Sequence, residues 1–430
     1  MDSDALKTNE QEKRFADEEG FNEAETETLK KFWKRLFGLL GLNSTSTQLN
    51  GAAGRADELD QIIAKHGRER YAEALWSFTT LEDPDHVAIK FIRARKHVIE
   101  NAVKMFVECL QWRIEADVDL IVAKGELGFM TQPGYDGQAF THQFSSGKTF
   151  VQGFSKIGGP VSYLIPRFHK SSEQSEEVMN DFIAYAMECL RIFTTNLRSK
   201  VTVIIDLAGF GLSNMDWKAV MYFNKCLEAY YPESLQLVII HNAPWVFQGV
   251  WKVLGPMLDP VVHSKIKFTK STQDIHVYVD ERYLFKEHGG SSTWKLLYKP
   301  PSTRTLEIDQ ARKTELMAQR KELVVKYVDE TNSWINGSSV RNLVSRHFLA
   351  LMMRVQGLSL DPYIRSTTFY HQVGGVLPNG LVGFSLREGE ADREYRGHPR
   401  SREQVLEKIE EMKARFKTED VDFPVINFQL

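Results

Sequence analysis

The sequence predicts an α/β protein: a helical N-terminal lobe, a second lobe on a mixed, mostly parallel five-stranded sheet, and a helical C-terminal extension. Three observations predict it. Residues 56–128 keep a helical apolar period, five short β-branched runs between 149 and 268 alternate with helical segments, and the helical period returns beyond residue 300. Near-continuous apolar strands separated by helices are the pattern of a mostly parallel sheet with right-handed crossovers. With 430 residues and 42% hydrophobic composition, the chain can bury a substantial core in two or three structural units.

In chain order, residues 1–24 are charged and nearly free of large apolar side chains, a composition of disorder. TLKKFWKRLFGLL follows, with Leu29, Trp33, Leu36 and Leu40 at helical spacing beside Lys30, Lys31, Lys34 and Arg35. Such a basic amphipathic helix either anchors on anionic lipid or docks on its own protein, and the pattern leaves both open. Residues 43–55 have linker composition. Asp83-Pro84 marks a helix start, carboxylate at the N-cap and proline at the first position. After RARK, Ile99, Val103, Phe106 and Leu110 make one stripe of a second helix.

The predicted strands are 149–153, 161–165, 201–205, 237–240 and 266–268. Between them, Met179, Ile183, Ala186, Leu190 and Phe193 share one helical face; a capping box at Ser213–Asp216 opens another helix through Val220, Phe223, Leu227 and Tyr230. The segment PWVFQGVWKVLGPMLDP breaks the pattern. Trp245, Val246, Phe247, Val250, Trp251, Val253, Leu254, Met257 and Leu258 surround nearly the whole helical circumference. A crossover helix should offer water a polar face, so this one is buried on all sides or faces something other than water. Further on, Leu316, Leu323, Tyr327 and Trp334 lie on one long charged helix, with more helix to Arg354. Residues 371–400 read as loop, and Arg402–Lys417 as a charged helix with little to bury.

Composition and motifs exclude several functions. A net charge of -3 gives no general attraction for nucleic acid. Cys109, Cys189 and Cys226 are widely separated and make no ligand pattern, as in reduced thiols of a cytosolic protein. The acidic start is unlike a signal peptide, and no apolar run nears the roughly 20 residues of a membrane span. Gly147-Lys148-Thr149 echoes a phosphate loop, but His142 stands where its first glycine belongs and a strand follows. DLAGFGLSN has Asn214 in place of a third glycine. His169 and His241 near strand ends lack partners at metal-ligand spacing. No catalytic constellation, metal set or cofactor motif is present, so the expectation is a protein that is not an enzyme.

FIRARK (91–96), Trp112-Arg113, DLAGFGLSNMD (206–216), AYYPESL (229–235), NAPWVF (242–247), LDPVVHSKI (258–266) and HGG (288–290) together resemble the CRAL-TRIO domain, above all that of fungal phosphatidylinositol transfer proteins of the yeast type. The similarity covers about residues 60–293 and extends more weakly to LKKFWKRLF, the helix ending near Trp334, and DPYIRS. It implies a gate helix over a lipid cavity, a place taken here by 245–258. The implied division is a tail, helix and linker (1–55), a helical lobe (56–128), the lipid-binding domain (129–293), a helical extension (294–374) and a charged tail (375–430). It further implies phosphatidylinositol as ligand, with Arg95, Lys96, Glu233 and Lys265 around the headgroup. Basic side chains offset a phosphodiester, and a carboxylate accepts hydrogen bonds from inositol hydroxyls. Each also has a plain structural reading: a basic pair at a helix C-terminus, a turn residue, a solvated strand edge. Val201 and Val203 stand where phosphatidylcholine-binding members carry hydroxyls, and Val262 where threonine is common. That leaves a sterol, squalene or another neutral hydrophobe as alternate ligand. The implied setting is cytoplasmic, with transient peripheral contact at endoplasmic reticulum, endosomal or other membranes. A lipid kinase or phospholipase is an implied partner, through a regulatory role in place of bulk transfer.

Overall fold

The computed structural model describes residues 10, 11, 13, 14, 18, 20–43, 58–195, 197, 199–301, 309–337, 339–387, 393–395, 401–417, 423–426 and 428. In chain order the elements are α1 (Glu23–Leu40), α2 (Glu58–Ala64), α3 (Arg68–Phe78), α4 (Pro84–Ala94), α5 (Ile99–Glu115), α6 (Val118–Met130), α7 (Gly137–Ser145), β1 (Thr149–Phe154), β2 (Pro160–Leu164), α8 (Glu176–Ile192), β3 (Val201–Asp206), α9 (Trp217–Lys225), β4 (Leu235–His241), α10 (Phe247–Leu254), α11 (Pro260–Ser264), β5 (Ile266–Thr269), α12 (Thr272–His276), α13 (Gln310–Asn336), α14 (Val340–Ile364), α15 (Phe369–Gln372), β6 (Gly383–Ser385), β7 (Arg393–Tyr395) and α16 (Arg402–Phe416). Two compact units result: residues 1–119, 309–363 and 399–430 form one, and 120–308 with 364–398 form the other. Among the described residues no helix is long and apolar enough to cross a membrane.

The first unit is helical. Asn22 caps α1 through a reciprocal capping box with Glu25. Leu29, Phe32, Trp33, Leu36 and Phe37 are wholly buried. Phe32 meets Phe106 edge-on at 5.5 Å, and Phe106 meets Phe91 at 4.8 Å. The amphipathic helix therefore docks on its own protein, and an anchor on lipid would have to give up this packing. Asp83 caps α4, with Pro84 at the first position as predicted. Behind it, buried Asp85 accepts from Trp33 Nε1 at 2.6 Å and from both terminal nitrogens of Arg346 at 2.5 and 2.6 Å. Burial opposes ionisation of Asp85, but the Arg346 guanidinium outweighs it and holds the carboxyl below its ordinary value. That bidentate pair ties α14 to α4 and α1, so the C-terminal helices share a core with the N-terminal ones. One expectation changes. α16 buries Val405, Ile409, Met412 and Phe416 along one face, spaced at three and four residues. The linker reading at 43–55, apart from Asn43, and most of 1–24 fall outside the described residues, although Glu23 and Ala24 begin α1.

The second unit holds a sheet in the order β1-β2-β3-β4-β5. β1 and β2 are antiparallel; β2, β3, β4 and β5 run parallel. All five predicted strands are present, and the single antiparallel pair makes the sheet mixed. α9 begins at Trp217 with Asp216 as N-cap, preceded by a separate short turn at Leu212–Asn214, so the predicted start at Ser213 falls three residues early. Gly125 interrupts α6 with φ 55°, and a Cβ there would lie 2.5 Å from the Cβ of Ser366. The predicted loop 371–400 contains the antiparallel pair β6 and β7, with Gly383 opposite Tyr395. The three cysteines are buried and form no disulfide.

Candidate functional site

The α/β unit is hollow. A cavity of about 330 Å³ lies on one face of the sheet, within the range of small-ligand pockets. Its floor follows the strand period of two: Val201, Val203 and Ile205 from β3, Val238 and Ile240 from β4, and Ile266 from β5. Its sides follow the helical period: Met179, Ile183, Ala186 and Leu190 from α8, then Val220 and Phe223 from α9 and Leu227 just beyond it. Where α9 ends, Cys226–Tyr230 winds as one π turn, a geometry that recurs at functional sites.

The remaining wall is the segment whose apolarity was anomalous. α10 covers Phe247–Leu254 and passes into a short turn at Gly255–Met257, so the helix is shorter than the predicted 245–258. Phe247, Val250, Trp251, Leu254 and Leu258 line the cavity, and Val246 packs against the same apolar cluster. Trp245 is 84% exposed, and Val253 and Met257 are also exposed. The unbroken apolar circumference resolves into an inner face against the cavity and an outer face left bare. Asn242, at φ 55°, turns the chain out of β4 just before this segment. At its far end, Glu228 on the π turn accepts from the amide of Asp259 at 2.7 Å.

Polar side chains gather where the parallel strands begin. Lys200 immediately precedes β3, Glu233 lies two residues before β4, and Lys265 immediately precedes β5. Lys200 and Glu233 form an ion pair. Burial lowers the affinity of Lys265 for its proton, helped by the charge of Lys200 and opposed by that of Glu233. Glu233 holds φ 57°, a left-handed conformation uncommon outside glycine and often kept at functional sites. Of the four headgroup candidates, the structure brings Glu233 and Lys265 together. Arg95 and Lys96 belong to the helical unit, where Arg95 closes α4 and donates to the carbonyl of Ala94 at 3.1 Å, and Lys96 follows at φ 51°. Sequence reasoning missed Lys200. Its signal is strand register: Val201 pairs with Leu235, which sets the residues before each strand side by side.

A second polar corner was also missed. Lys148, His169, Asn214 and Asp216 all line the cavity, at the other ends of the strands. Lys148 Nζ lies 3.0 Å from His169 Nδ1, and His169 Nε2 lies 3.3 Å from Asp216 Oδ2. Asn214 is fully used, donating to the carbonyls of Arg167 and His169 and accepting from the Gly211 amide.

Sheet, helices and apolar hollow together make a binding protein for a hydrophobic ligand. Comparison with known proteins agrees. The CRAL/TRIO domain matches residues 144–290, and the CRAL/TRIO N-terminal domain matches residues 56–108. A CRAL-TRIO domain-containing protein of Schizosaccharomyces pombe is 33% identical, over 75% of this chain and 72% of its own length. The phosphatidylinositol transfer protein CSR1 of Eremothecium gossypii is 31% identical, over 75% of this chain and 74% of its own. The SEC14 cytosolic factor of Kluyveromyces lactis is 25% identical, over 57% of this chain and 83% of its own. The chain belongs to the CRAL-TRIO family of lipid-binding and lipid-transfer proteins.

Proposed function

We propose that the protein withdraws phosphatidylinositol from one membrane and delivers it to another, α10 and its flanks acting as the gate. The observation that carries this reading is an apolar cavity whose lining reaches Val201 and Ile266, next in sequence to Lys200 and Lys265; these two lysines and Glu233 cluster just outside the lining, where the parallel strands begin. Two ammonium groups and one carboxylate leave one net positive charge, which complements a phosphodiester. The carboxylate keeps lone pairs for inositol hydroxyls. Arg95 and Lys96 join the headgroup set on the motif resemblance alone. The name of the CSR1 relative supports the choice of headgroup.

The energetics favour a gated carrier. A diacyl lipid hides roughly thirty methylenes, each costing about 0.8 kcal/mol to expose to water. An apolar cavity replaces the bilayer for those chains, so the remaining barrier is the movement of the wall. The inner face of α10 contacts the chains. Trp245, Val253 and Met257 on the outer side give it a surface that membrane solvates better than water. The wall moves outward as the lipid passes.

The test is transfer of labelled phosphatidylinositol between vesicles, comparing the full chain with Lys265→Ala and Glu233→Gln. Headgroup recognition predicts a loss of about tenfold or more for each, the scale of one charged hydrogen bond. Transfer at the original rate in both variants refutes the headgroup assignment. The dry wall at Val201, Val203 and Val262 favours a second cargo, a neutral hydrophobe such as a sterol or squalene. Mass spectrometry of lipid released from the purified protein separates the two cargoes.

A further inference from the structure

Lys148 belongs to a motif that failed as a phosphate loop, and headgroup recognition where the parallel strands begin leaves it unused. Its ammonium is buried in a wall that is otherwise largely apolar. Among the described residues it forms no ion pair and has one hydrogen-bond partner, the Nδ1 of His169, out of three possible donors. Asp216, behind His169, is committed elsewhere: one oxygen accepts from the Ala219 amide as the cap of α9, and the other faces His169. A buried ammonium without a direct counter-ion is costly, and apolar surroundings draw its pKa down to about 8. Lys148 lines the cavity, and among the described residues two of its three N–H bonds have no partner.

The position matters equally. β2, β3, β4 and β5 run parallel, with Lys200, Glu233 and Lys265 at their starts. His169 and Asp216 follow the ends of β2 and β3, and Lys148 adjoins them because β1 runs antiparallel, with Thr149 opposite Leu164. Six residues of β3 at ~3.3 Å each separate the two groups by about 20 Å. One polar cluster thus lines the apolar cavity, and the other lies just outside its lining at the opposite ends of the same strands.

We propose that the Lys148–His169–Asp216 cluster is a second headgroup site, which takes the oxyanion end of a long-chain lipid, a carboxylate or a phosphate monoester. The oxyanion accepts from Lys148 Nζ, which His169 holds in place, and the chain lies along the Val203 and Ile205 floor. Such a ligand enters in the orientation opposite to phosphatidylinositol. It competes with it for the cavity while using none of its headgroup contacts. The inference rests on the cavity being a lipid site and is independent of which headgroup the other cluster takes.

The experiment measures binding of hexadecanoate, hexadecyl phosphate and hexadecanol to the full chain. The readout is the preference for each anion over the alcohol, which cancels the contribution of the chain. The wild type should prefer at least one anion by about tenfold or more, and Lys148→Met should erase the preference. Preference for hexadecanoate names a carboxylate ligand, and preference for hexadecyl phosphate alone names a phosphate. Lys265→Ala should keep the preference, even if phosphatidylinositol transfer proves independent of Lys265. A second measurement needs no variant. The charged groups facing Lys148 are Asp216, Glu173, whose proton affinity its contact with Lys170 lowers, and His169, whose proton affinity burial and Lys148 lower. Loss of the Lys148 proton on raising the pH should therefore weaken the anion preference by about tenfold per unit above about 8. Equal affinity for all three ligands, a preference that survives Lys148→Met, or one lost in Lys265→Ala instead overturns the proposal.

Discussion

Two helices carry more apolar surface than a water-facing helix needs, and they dispose of it differently. α1 buries its surface completely: Phe32, Trp33, Leu36 and Phe37 all close on neighbours within the helical unit. α10 buries only one side, Phe247 and Val250, and leaves Val253 bare with Trp245 and Met257 beside it. A stripe about a third of the circumference can be covered by one packed layer; an apolar surface all round cannot, unless the helix is central. The excess on α10 is therefore what separates the two, and it marks the helix for a non-aqueous neighbour.

Substitutions can break that comparison from either side. The largest expected effect is on α1. Trp33→Ala removes a wholly buried ring and one hydrogen bond to Asp85, and should cost about 3–5 kcal/mol of stability in denaturant unfolding. A change below ~1 kcal/mol would mean that α1 is not integral to its unit. On α10, Val250→Asp and Leu254→Asp place carboxylates against the cavity. Each should slow vesicle-to-vesicle transfer of phosphatidylinositol by tenfold or more, since even ~1.4 kcal/mol of added cost has that effect. Unchanged transfer removes the gate role. The smallest effect on stability should come from the outer side. Trp245→Ser with Val253→Ser should leave unfolding within about 0.5 kcal/mol of the parent, because both side chains are already solvated. The same pair should weaken partition onto lipid vesicles several-fold in a sedimentation assay. Vesicle partition equal to that of the parent would show that the bare side serves another purpose.

Much of this architecture was legible because it follows strict periods. β3 shows Val201, Val203 and Ile205 to the cavity, as a half-turn repeat demands, and α8 shows Met179, Ile183, Ala186 and Leu190. The anomaly at 245–258 was legible for the same reason: it violates the period. What stayed hidden depends on register and on distant pairing. Nothing around Lys200 marks it until β3 lies beside β4, and Lys148, His169 and Asp216 come from three separate connections. The buried face of α16 was missed because its four buried apolar residues are diluted by eight charged ones along the helix. The small β6–β7 pair was missed because three-residue strands are shorter than any alternation that can be counted.

The alternation of β3 also bears on how the sheet assembles. Its opposite face carries Thr202, Ile204 and Asp206, and Asp206 is held there by Arg167 at 2.9 Å and by the amide of Ala208 at 3.0 Å. Sliding the strand by one position would turn that carboxylate into the oil and strip it of these partners, while the valines would leave the cavity floor. The two faces of β3, one apolar and one holding a carboxylate in place, thus fix the register of the sheet from both sides.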